Sequence, residues 1–180
     1  MSVPTHTTPP PPIPQEVRDW VPATRTLLVG GSMVEPRGET WDVFNPATEA
    51  VIATVSGASA DQVDAAVLAA RTAFPAWAAL SGAERGAYIH RFADALEAAA
   101  DRLLPSIVNE VGTPVSLAEY LQVKMAVQEH LRWAADAAAT DRTVHLGRYE
   151  TPWPTMSDVV HEPVGVVAAI TGYNYPLNLA

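Results

Sequence analysis

The side chains best suited to chemistry lie near the end of the chain, in the run Thr171-Gly172-Tyr173-Asn174-Tyr175-Pro176. This run contains a carboxamide and two phenol hydroxyls, and its glycine and proline indicate a loop. It follows seven apolar or glycine residues, Val164 to Ile170, of which four are β-branched, a pattern that predicts a strand buried on both faces. Ligands bind at the carboxyl ends of strands in open α/β sheets, so the loop is a candidate site. The alternative is an ordinary strand-to-helix turn in which Tyr173 and Tyr175 pack into the core.

Three amphipathic helices are predicted, which together form an ordinary helical layer. Capping boxes at Ser59-Ala60-Asp61-Gln62 and Ser81-Gly82-Ala83-Glu84 predict the starts of the first two helices. Thr113-Pro114 predicts the start of the third, with proline at the first helical position. Apolar residues at helical spacing form the expected buried stripes: Val63, Val67, Ala70, Phe74 and Trp77 in the first helix, Tyr88, Phe92, Leu96, Leu103, Ile107 and Val111 in the second, and Leu117, Leu121, Met125 or Val127, Leu131 and Ala135 in the third.

Proline and glycine set the expected ends of these helices. Pro75 lies inside the first stripe and should kink or end that helix near Phe74. Gly112 should end the second helix as a C-cap glycine. His130 lies beside the third stripe, where a structural histidine is expected rather than a ligand.

The remaining segments are a tail and several strands. Residues 1–26 are rich in proline, which predicts a disordered tail, with a proline-rich partner motif as the alternative. Residues 27–56 hold three strand-like runs separated by Gly30-Gly31 and Asn45-Pro46-Ala47-Thr48, which predict a small meander. Residues 143–161 hold two further runs around Thr151-Pro152-Trp153-Pro154, which predict a hairpin whose edge could be exposed.

Composition excludes several classes of function. The net charge of -9 and the pI near 4.9 argue against nucleic acid and anionic membrane surfaces as partners. The chain has no cysteine, and its five histidines are not paired at metal-ligand spacing, so no metal site is expected. No apolar run is long enough to cross a bilayer, and no signal-peptide pattern is present, so a cytoplasmic location is expected.

From Leu27 onward, several motifs follow one another in an order that resembles a known family. Glu162-Pro163-Val164-Gly165-Val166-Val167 and the following Ala169 to Leu177 are similar to the EP(V/L)GVV stretch and TPWNFP loop of the aldehyde dehydrogenase superfamily. Gly30-Gly31, the Asn45–Thr48 turn and Glu110-Val111-Gly112-Thr113-Pro114, which is similar to ETGKP, precede them in the family's order.

The resemblance implies an α/β fold, the N-terminal part of a Rossmann-like NAD(P)-binding domain with a helical layer and a protruding β-hairpin. Residues 27–142 would be the first strands and helices of that domain. Residues 143–161 would be a bridging and oligomerisation hairpin. Residues 162–180 would be the first parallel strand and the active-site loop.

The resemblance also implies the chemistry, which is oxidation of an aldehyde to a carboxylic acid with NAD or NADP. A cysteine thiolate attacks the carbonyl to give a thiohemiacetal, and a glutamate activates the water that releases the acyl group. Asn174 matches the asparagine of WNFP, whose side-chain NH2 would donate to the developing oxyanion. The alternative for Asn174 is a loop asparagine bonded to its own backbone.

The neighbours of Asn174 would contact cofactor and substrate. Ile170, Thr171, Gly172 and Tyr173 match the loop on the nicotinamide side of the cofactor, and Tyr175 would line the aldehyde tunnel. The family commonly has proline and tryptophan where this chain has Gly172 and Tyr173. Glycine should loosen the loop, because it frees a φ angle that proline would fix.

The family's cysteine and glutamate are not among these residues. The sequence is therefore interpreted as the N-terminal portion of an aldehyde dehydrogenase, inactive by itself, whose full-length parent would be a homo-oligomer, a dimer or tetramer, acting on a small-molecule aldehyde. The alternative is a non-catalytic truncated product that acts only as an assembly or interaction piece. The isolated chain is expected to be marginally stable and prone to aggregate, because its helices would have one central strand to cover.

Overall fold

The structure of the protein, a computed structural model, describes residues 26–140, 143–150 and 152–179. The expected tail over residues 1–26 lies outside the described residues except for Thr26. None of the helices in the described ranges has both the length and the hydropathy needed to cross a membrane.

Six strands pair within the described residues as three antiparallel hairpins. β1 (Leu27–Val29) pairs with β2 (Ser32–Val34), β3 (Thr40–Phe44) with β4 (Val51–Ser56), and β5 (Val144–Tyr149) with β6 (Thr155–Val159). The turn between β1 and β2 requires positive φ at both central residues, which Gly30 (59°) and Gly31 (83°) supply. The runs predicted as strands within residues 27–56 and the hairpin within residues 143–161 are confirmed. The predicted meander is wrong, because the short strand β2 pairs with β1 and leaves β3 and β4 as a separate sheet.

Capping boxes start the first two helices, as predicted. α1 (Ala60–Ala78) follows Ser59, whose N–H donates to Gln62 Oε1 at 3.1 Å. α2 (Gly82–Ala98) follows Ser81, which exchanges two hydrogen bonds with Glu84: Glu84 N–H donates to Ser81 Oγ at 3.3 Å, and Ser81 N–H donates to Glu84 Oε2 at 2.8 Å. These bonds satisfy N–H groups that a helix start leaves without intrahelical partners.

The predicted end of the first helix near Phe74 and the predicted single long second helix are wrong. α1 continues through Pro75 to Ala78, and the turn after the proline closes with a 3.1 Å bond from Ala79 N–H to Pro75 O. The single long second helix is divided at Ala99 into α2 and α3 (Ala100–Val111). α3 contains Pro105, which has no N–H and crowds the preceding turn. Because the helix breaks at Ala99, Pro105 lies near the start of a new helix and not deep inside one long helix.

The third helical stretch contains a segment with π-helical geometry. It consists of α4 (Val115–Ala118), the π-helix Glu119–Leu131 and α5 (Arg132–Ala139). Pro114 is the N-cap rather than the predicted first helical residue, with an extended ψ of 136°. α3 ends at Gly112, whose φ of 77° confirms the predicted C-cap.

The core lies where α2, the π-helix and α5 meet, and small side chains form much of it. Gly86 and Ala93 are buried on α2, whereas Tyr88 and Phe92 of the predicted stripe are exposed. A Cβ atom on Gly86 would lie 2.7 Å from the main-chain oxygen of Ala135 on α5. Such a close approach of two helices admits only small residues at the crossing, which is why the large side chains are turned outward. The predicted stripe of α1 is also mostly exposed.

The segment predicted as a buried strand, Val164 to Ile170, is not a strand. It has no strand pairing, Val164 is 91% exposed, Ile170 is 98% exposed, and Gly165 has a φ of 109°. A strand is stabilised by hydrogen bonds to a neighbouring strand and by packing on its faces. Among the described residues, no strand lies beside this segment to supply either.

Candidate functional site

The candidate loop ends in a short helix that docks on the π-helix. α6 (Pro176–Leu179) begins after Tyr175, whose main-chain oxygen accepts hydrogen bonds from the N–H groups of Asn178 and Leu179, both at 3.1 Å. Proline suits the first helical position because its missing N–H would have no intrahelical partner there. Asn178 Nδ2 donates to the main-chain oxygen of Leu121 on the π-helix at 2.6 Å. This contact fixes the segment that follows the loop.

A second contact holds the loop itself. Gln122, which is 1% exposed, donates from Nε2 to the main-chain oxygen of Asn174 at 2.9 Å and to Oγ1 of Thr113 at 3.0 Å. The Asn174 backbone is therefore tied to a buried side chain. Its own side chain is exposed, and within the described ranges nothing forms a hydrogen bond with its carboxamide. The structure does not show the alternative in which Asn174 bonds its own backbone.

The residues expected around the cofactor are presented to solvent. Ile170, Thr171, Gly172 and Tyr173 are exposed, and Tyr173 reaches 87%. This placement argues against the alternative in which Tyr173 packs into the core. Tyr175, the expected wall of the aldehyde tunnel, is half-buried.

Gly172 lies close to the side chains of Leu179 and Asn174. A Cβ atom there would lie 3.2 Å from Leu179 Cδ1 and 3.4 Å from Asn174 Oδ1. A side chain at this position would therefore be tight against Leu179 and in ordinary van der Waals contact with the Asn174 carboxamide.

Two of the sequence motifs are joined by a buried hydrogen bond. Asn45 Nδ2 donates to Asn109 Oδ1 at 2.9 Å, and Asn45 Oδ1 accepts from the N–H groups of Ala47 (2.9 Å) and Thr48 (3.2 Å). Asn109 precedes the Glu110–Pro114 stretch. The turn after β3 is thereby fixed against the end of α3, and Thr113 is held where it meets Gln122.

Sequence reasoning missed Gln122, Asn178 and Asn109. Gln122 follows Leu121 of the predicted stripe and is buried beside Val123 and Ala126, where a polar residue indicates a specific hydrogen bond. Asn178 and Asn109 carry no comparable signal, because a single asparagine after a proline or within a helix is unremarkable in sequence.

Shifted pKa values mark helix ends and helix contacts. A hydrogen bond from Gln128 and then one from Arg132 lower the pKa of Glu97 below its ordinary value. Hydrogen bonds from Ser81 lower the pKa of Glu84, and one from Ser59 lowers the pKa of Asp61. These carboxylates stabilise helix starts and the contact between α2 and the π-helix–α5 stretch, and they do not belong to the loop.

A groove of about 690 Å³ lies away from the loop, between the start of α2, the end of α5 and residues 160–163. Its lining includes Trp77, Arg85 and Glu162. Since it contains none of residues 170–179, the groove is separate from the candidate site.

The loop and the chain around it match known proteins. Residues 33–180 match the family model described as the aldehyde dehydrogenase family. The chain is 32% identical over 157 residues to geranial dehydrogenase from Castellaniella defragrans, an alignment that covers 86% of this chain and 32% of that protein.

Solved structures agree with this match. A betaine aldehyde dehydrogenase double mutant from Staphylococcus aureus, in complex with NAD+, is 28% identical with a TM-score of 0.78, over 92% of this chain and 33% of that one. An E. coli NADP-dependent enzyme is also 28% identical with a TM-score of 0.78, over 87% of this chain and 32% of that one. The predicted α/β fold class is confirmed by these structures. The chain spans about a third of the length of these relatives. With a family match over residues 33–180, the chain belongs to the aldehyde dehydrogenase family.

Proposed function

We propose that this chain is the N-terminal portion of an NAD(P)-dependent aldehyde dehydrogenase, in which it supplies an oxyanion donor and one wall of the nicotinamide site. One observation carries the proposal. The Asn174 carboxamide is exposed and has no hydrogen-bond partner among the described residues, while its backbone is held by Gln122. A donor that is fixed at its backbone and open at its NH2 suits a charge that develops during a reaction.

Asn174 would act when a thiolate adds to the carbonyl carbon and the carbonyl oxygen becomes negative. The NH2 group of a carboxamide donates a hydrogen bond without titrating, so the stabilisation does not depend on pH. The thiohemiacetal then loses hydride and becomes a thioester, which water hydrolyses to the acid. The 180 residues contain no cysteine, so the proposal assigns the thiolate and the glutamate base to sequence outside them and predicts that the 180-residue chain alone is inactive.

Bound NAD or NADP would accept the hydride. The residues fit such a cofactor, because Ile170 to Tyr173 are exposed and present main-chain groups that form no hydrogen bonds within the described part of the chain. Half-buried Tyr175 would line the aldehyde path. Relatives named for geranial and betaine aldehyde support an aldehyde substrate. A cytoplasmic homo-oligomer remains part of the proposal.

Two measurements on the native protein test the proposal. The first is its intact mass, after capture from the source with an antibody raised against the chain. We expect about three times 19.2 kDa, since the chain spans 32% of geranial dehydrogenase. The second is reduction of NAD+ and NADP+ with an aldehyde panel that includes geranial. A native protein of 19.2 kDa, or a longer one that reduces neither cofactor, would contradict the proposal.

Asn174→Ala then tests the assigned donor. We expect kcat to fall by about 100- to 1000-fold, the usual loss for one oxyanion donor, with aldehyde KM changed little. The exposed Gln128→Ala is the matched control and should retain activity. Equal kcat values for Asn174→Ala and the parent protein would remove Asn174 from the mechanism.

A second candidate function is assembly without catalysis. Every residue of β5 and β6 is exposed, including Leu146, Tyr149 and Met156. Exposed apolar strands pair readily with another chain. A native 19.2 kDa protein found in a stable complex, with no cofactor reduction, would favour this function.

A further inference from the structure

We propose that Gln122 is a positioning residue, which sets the location of the Asn174 carboxamide through the Asn174 backbone. The inference rests on the proposed function of Asn174. Gln122 itself does not contact the reacting atoms, because its bonds end at a main-chain oxygen and at Thr113.

The hydrogen bonds of Gln122 connect the Asn174 loop to Thr113, which follows the end of α3. Its Nε2 has two hydrogens, and the two acceptors are Asn174 O at 2.9 Å and Thr113 Oγ1 at 3.0 Å. With the side chain 1% exposed, water does not compete for these bonds. The Asn174 backbone is therefore held relative to the end of α3.

The Thr113 end of this link is itself rigid. Gly112, immediately before it, has a φ of 77° and donates from its N–H to Val108 O at 3.0 Å. A Cβ atom on Gly112 would lie 2.6 Å from Pro46 Cγ, so the turn after β3 packs directly on this residue. A displacement of Thr113 would require the turn and α3 to move together.

Stability alone does not account for a glutamine at this position. Gln122 Oε1 is buried and has no hydrogen-bond partner among the described residues. An unpaired buried carbonyl is unfavourable, so the two hydrogen bonds that Gln122 donates must offset the cost of burying its Oε1. A requirement for an N–H donor aimed at the loop explains why this position is polar.

A second hydrogen bond, from Asn178, also attaches the end of the loop to the π-helix. Asn178 Nδ2 donates to Leu121 O at 2.6 Å, on the residue next to Gln122. The loop is thus attached to neighbouring residues of the π-helix at Asn174 and at Asn178. Holding residues 174 and 178 limits the movement of the backbone that carries the Asn174 carboxamide. Displacement of a reacting group by about 1 Å can reduce a rate by on the order of 100-fold.

The test compares Gln122→Met, which keeps the shape and removes the donor, with Gln128→Met on the same π-helix. Gln128 is exposed and donates to Glu97 Oε1 at 3.2 Å. Its hydrogen-bond partner therefore lies on α2 and not in the loop. Two readouts are measured on the full-length native protein: kcat and KM for aldehyde and cofactor, and hydrogen exchange of the peptide covering residues 170–179.

We expect Gln122→Met to lower kcat by about 10- to 100-fold with aldehyde KM within about threefold, because the donor is displaced rather than lost. Exchange in residues 170–179 should be about 10-fold faster or more, as one buried hydrogen bond is removed. Gln128→Met should change neither. If Gln122→Met does not fold, Thr113→Val is used instead, since it removes the second acceptor of Gln122. We expect kcat to fall and exchange in residues 170–179 to become faster, both by smaller factors than in Gln122→Met.

Unchanged exchange in residues 170–179, together with unchanged kcat, would overturn the positioning role. So would a loss confined to thermal stability. If the parent protein oxidises no aldehyde, the proposed function fails, while the exchange measurement still decides whether Gln122 holds the loop.

Discussion

The side chain of Gln122 donates a hydrogen bond to the main-chain oxygen of Asn174 at 2.9 Å, across 52 positions of sequence. The bond joins a buried helical residue to the backbone of an exposed loop residue. Asn174 is a recognisable motif residue, whereas Gln122 belongs to no motif that the sequence reveals. The proposed chemistry of Asn174 depends on the location that Gln122 imposes on it.

Asn174→Asp tests whether Asn174 must donate a hydrogen bond or whether any polar side chain is sufficient at this position. A carboxylate cannot donate, and its negative charge would lie beside the developing oxyanion, so kcat should fall further than in Asn174→Ala. Because the side chain is exposed and has no partner within the described part of the chain, neither variant should change the melting temperature by more than a degree or two, roughly the effect of a surface substitution. Steady-state kinetics and thermal unfolding measure the two effects. A larger kcat for the aspartate variant than for the alanine variant would argue against the donor role.

Gly112→Ala should destabilise the protein by about 2 kcal/mol, because it combines a left-handed backbone with a clash against Pro46. The matched control is Gly31→Ala, whose φ of 83° is also positive but whose Cβ would have no atom within 4 Å. The control should lose about 1 kcal/mol from backbone strain alone. Denaturant unfolding gives both values. Equal losses would mean that the close approach to Pro46 contributes nothing.

Asn45→Ala should lower the free energy of unfolding by about 2 to 3 kcal/mol. The substitution leaves Asn109 Oδ1 without its donor and two turn N–H groups without their acceptor. Thr48→Ala in the same turn is exposed and should cost less than about 0.5 kcal/mol. Comparable losses in the two variants, measured by urea unfolding, would show that the buried Asn45–Asn109 bond is not the main stabilising contact.

Acid should destabilise the protein through its helix caps. The pKa values of Glu84, Glu97 and Asp61 are lowered in the folded state by hydrogen bonds from Ser81, Gln128 and Ser59 respectively. A folded pKa below the unfolded one gives stability that is present above the unfolded pKa and is lost as pH falls through the folded pKa. The melting temperature should therefore decrease as pH falls below about 4.5.

Glu84→Gln gives the control for this effect. Glutamine can still accept from the Ser81 N–H, as in other capping boxes, but it does not titrate. The decrease in melting temperature below about pH 4.5 should become shallower in this variant. The same slope in both proteins would show that Glu84 does not contribute to acid sensitivity.

The 180-residue chain purified alone should self-associate. Val164 and Ile170 are more than nine-tenths exposed, at 91% and 98%, and the strands of the β5–β6 hairpin are exposed throughout. Exposed apolar surface of this kind promotes association. Light scattering after size-exclusion chromatography measures the mass of the species. A soluble monomer with a cooperative thermal transition would contradict this prediction.

The sequence by itself determined the local features of this protein. The capping boxes at Ser59 and Ser81, the turn at Gly30-Gly31 and the helix end at Gly112 follow from interactions within a few residues. Short motifs also identify where in the sequence the Asn174 loop lies. Such features depend on backbone geometry and on neighbours in sequence, so they can be read without knowledge of the packing.

Only the tertiary structure decided what is buried and what holds the loop. Small residues such as Gly86 form the helix crossing in place of Tyr88 and Phe92, because the main chain of α5 comes too close for a larger side chain. Within the described part of the chain, Val164 to Ile170 has no neighbouring strand of the kind that its composition favours. The link from Thr113 through Gln122 to Asn174 joins three segments distant in sequence. Burial and long-range hydrogen bonds depend on which surfaces meet, and no local pattern in the sequence specifies that.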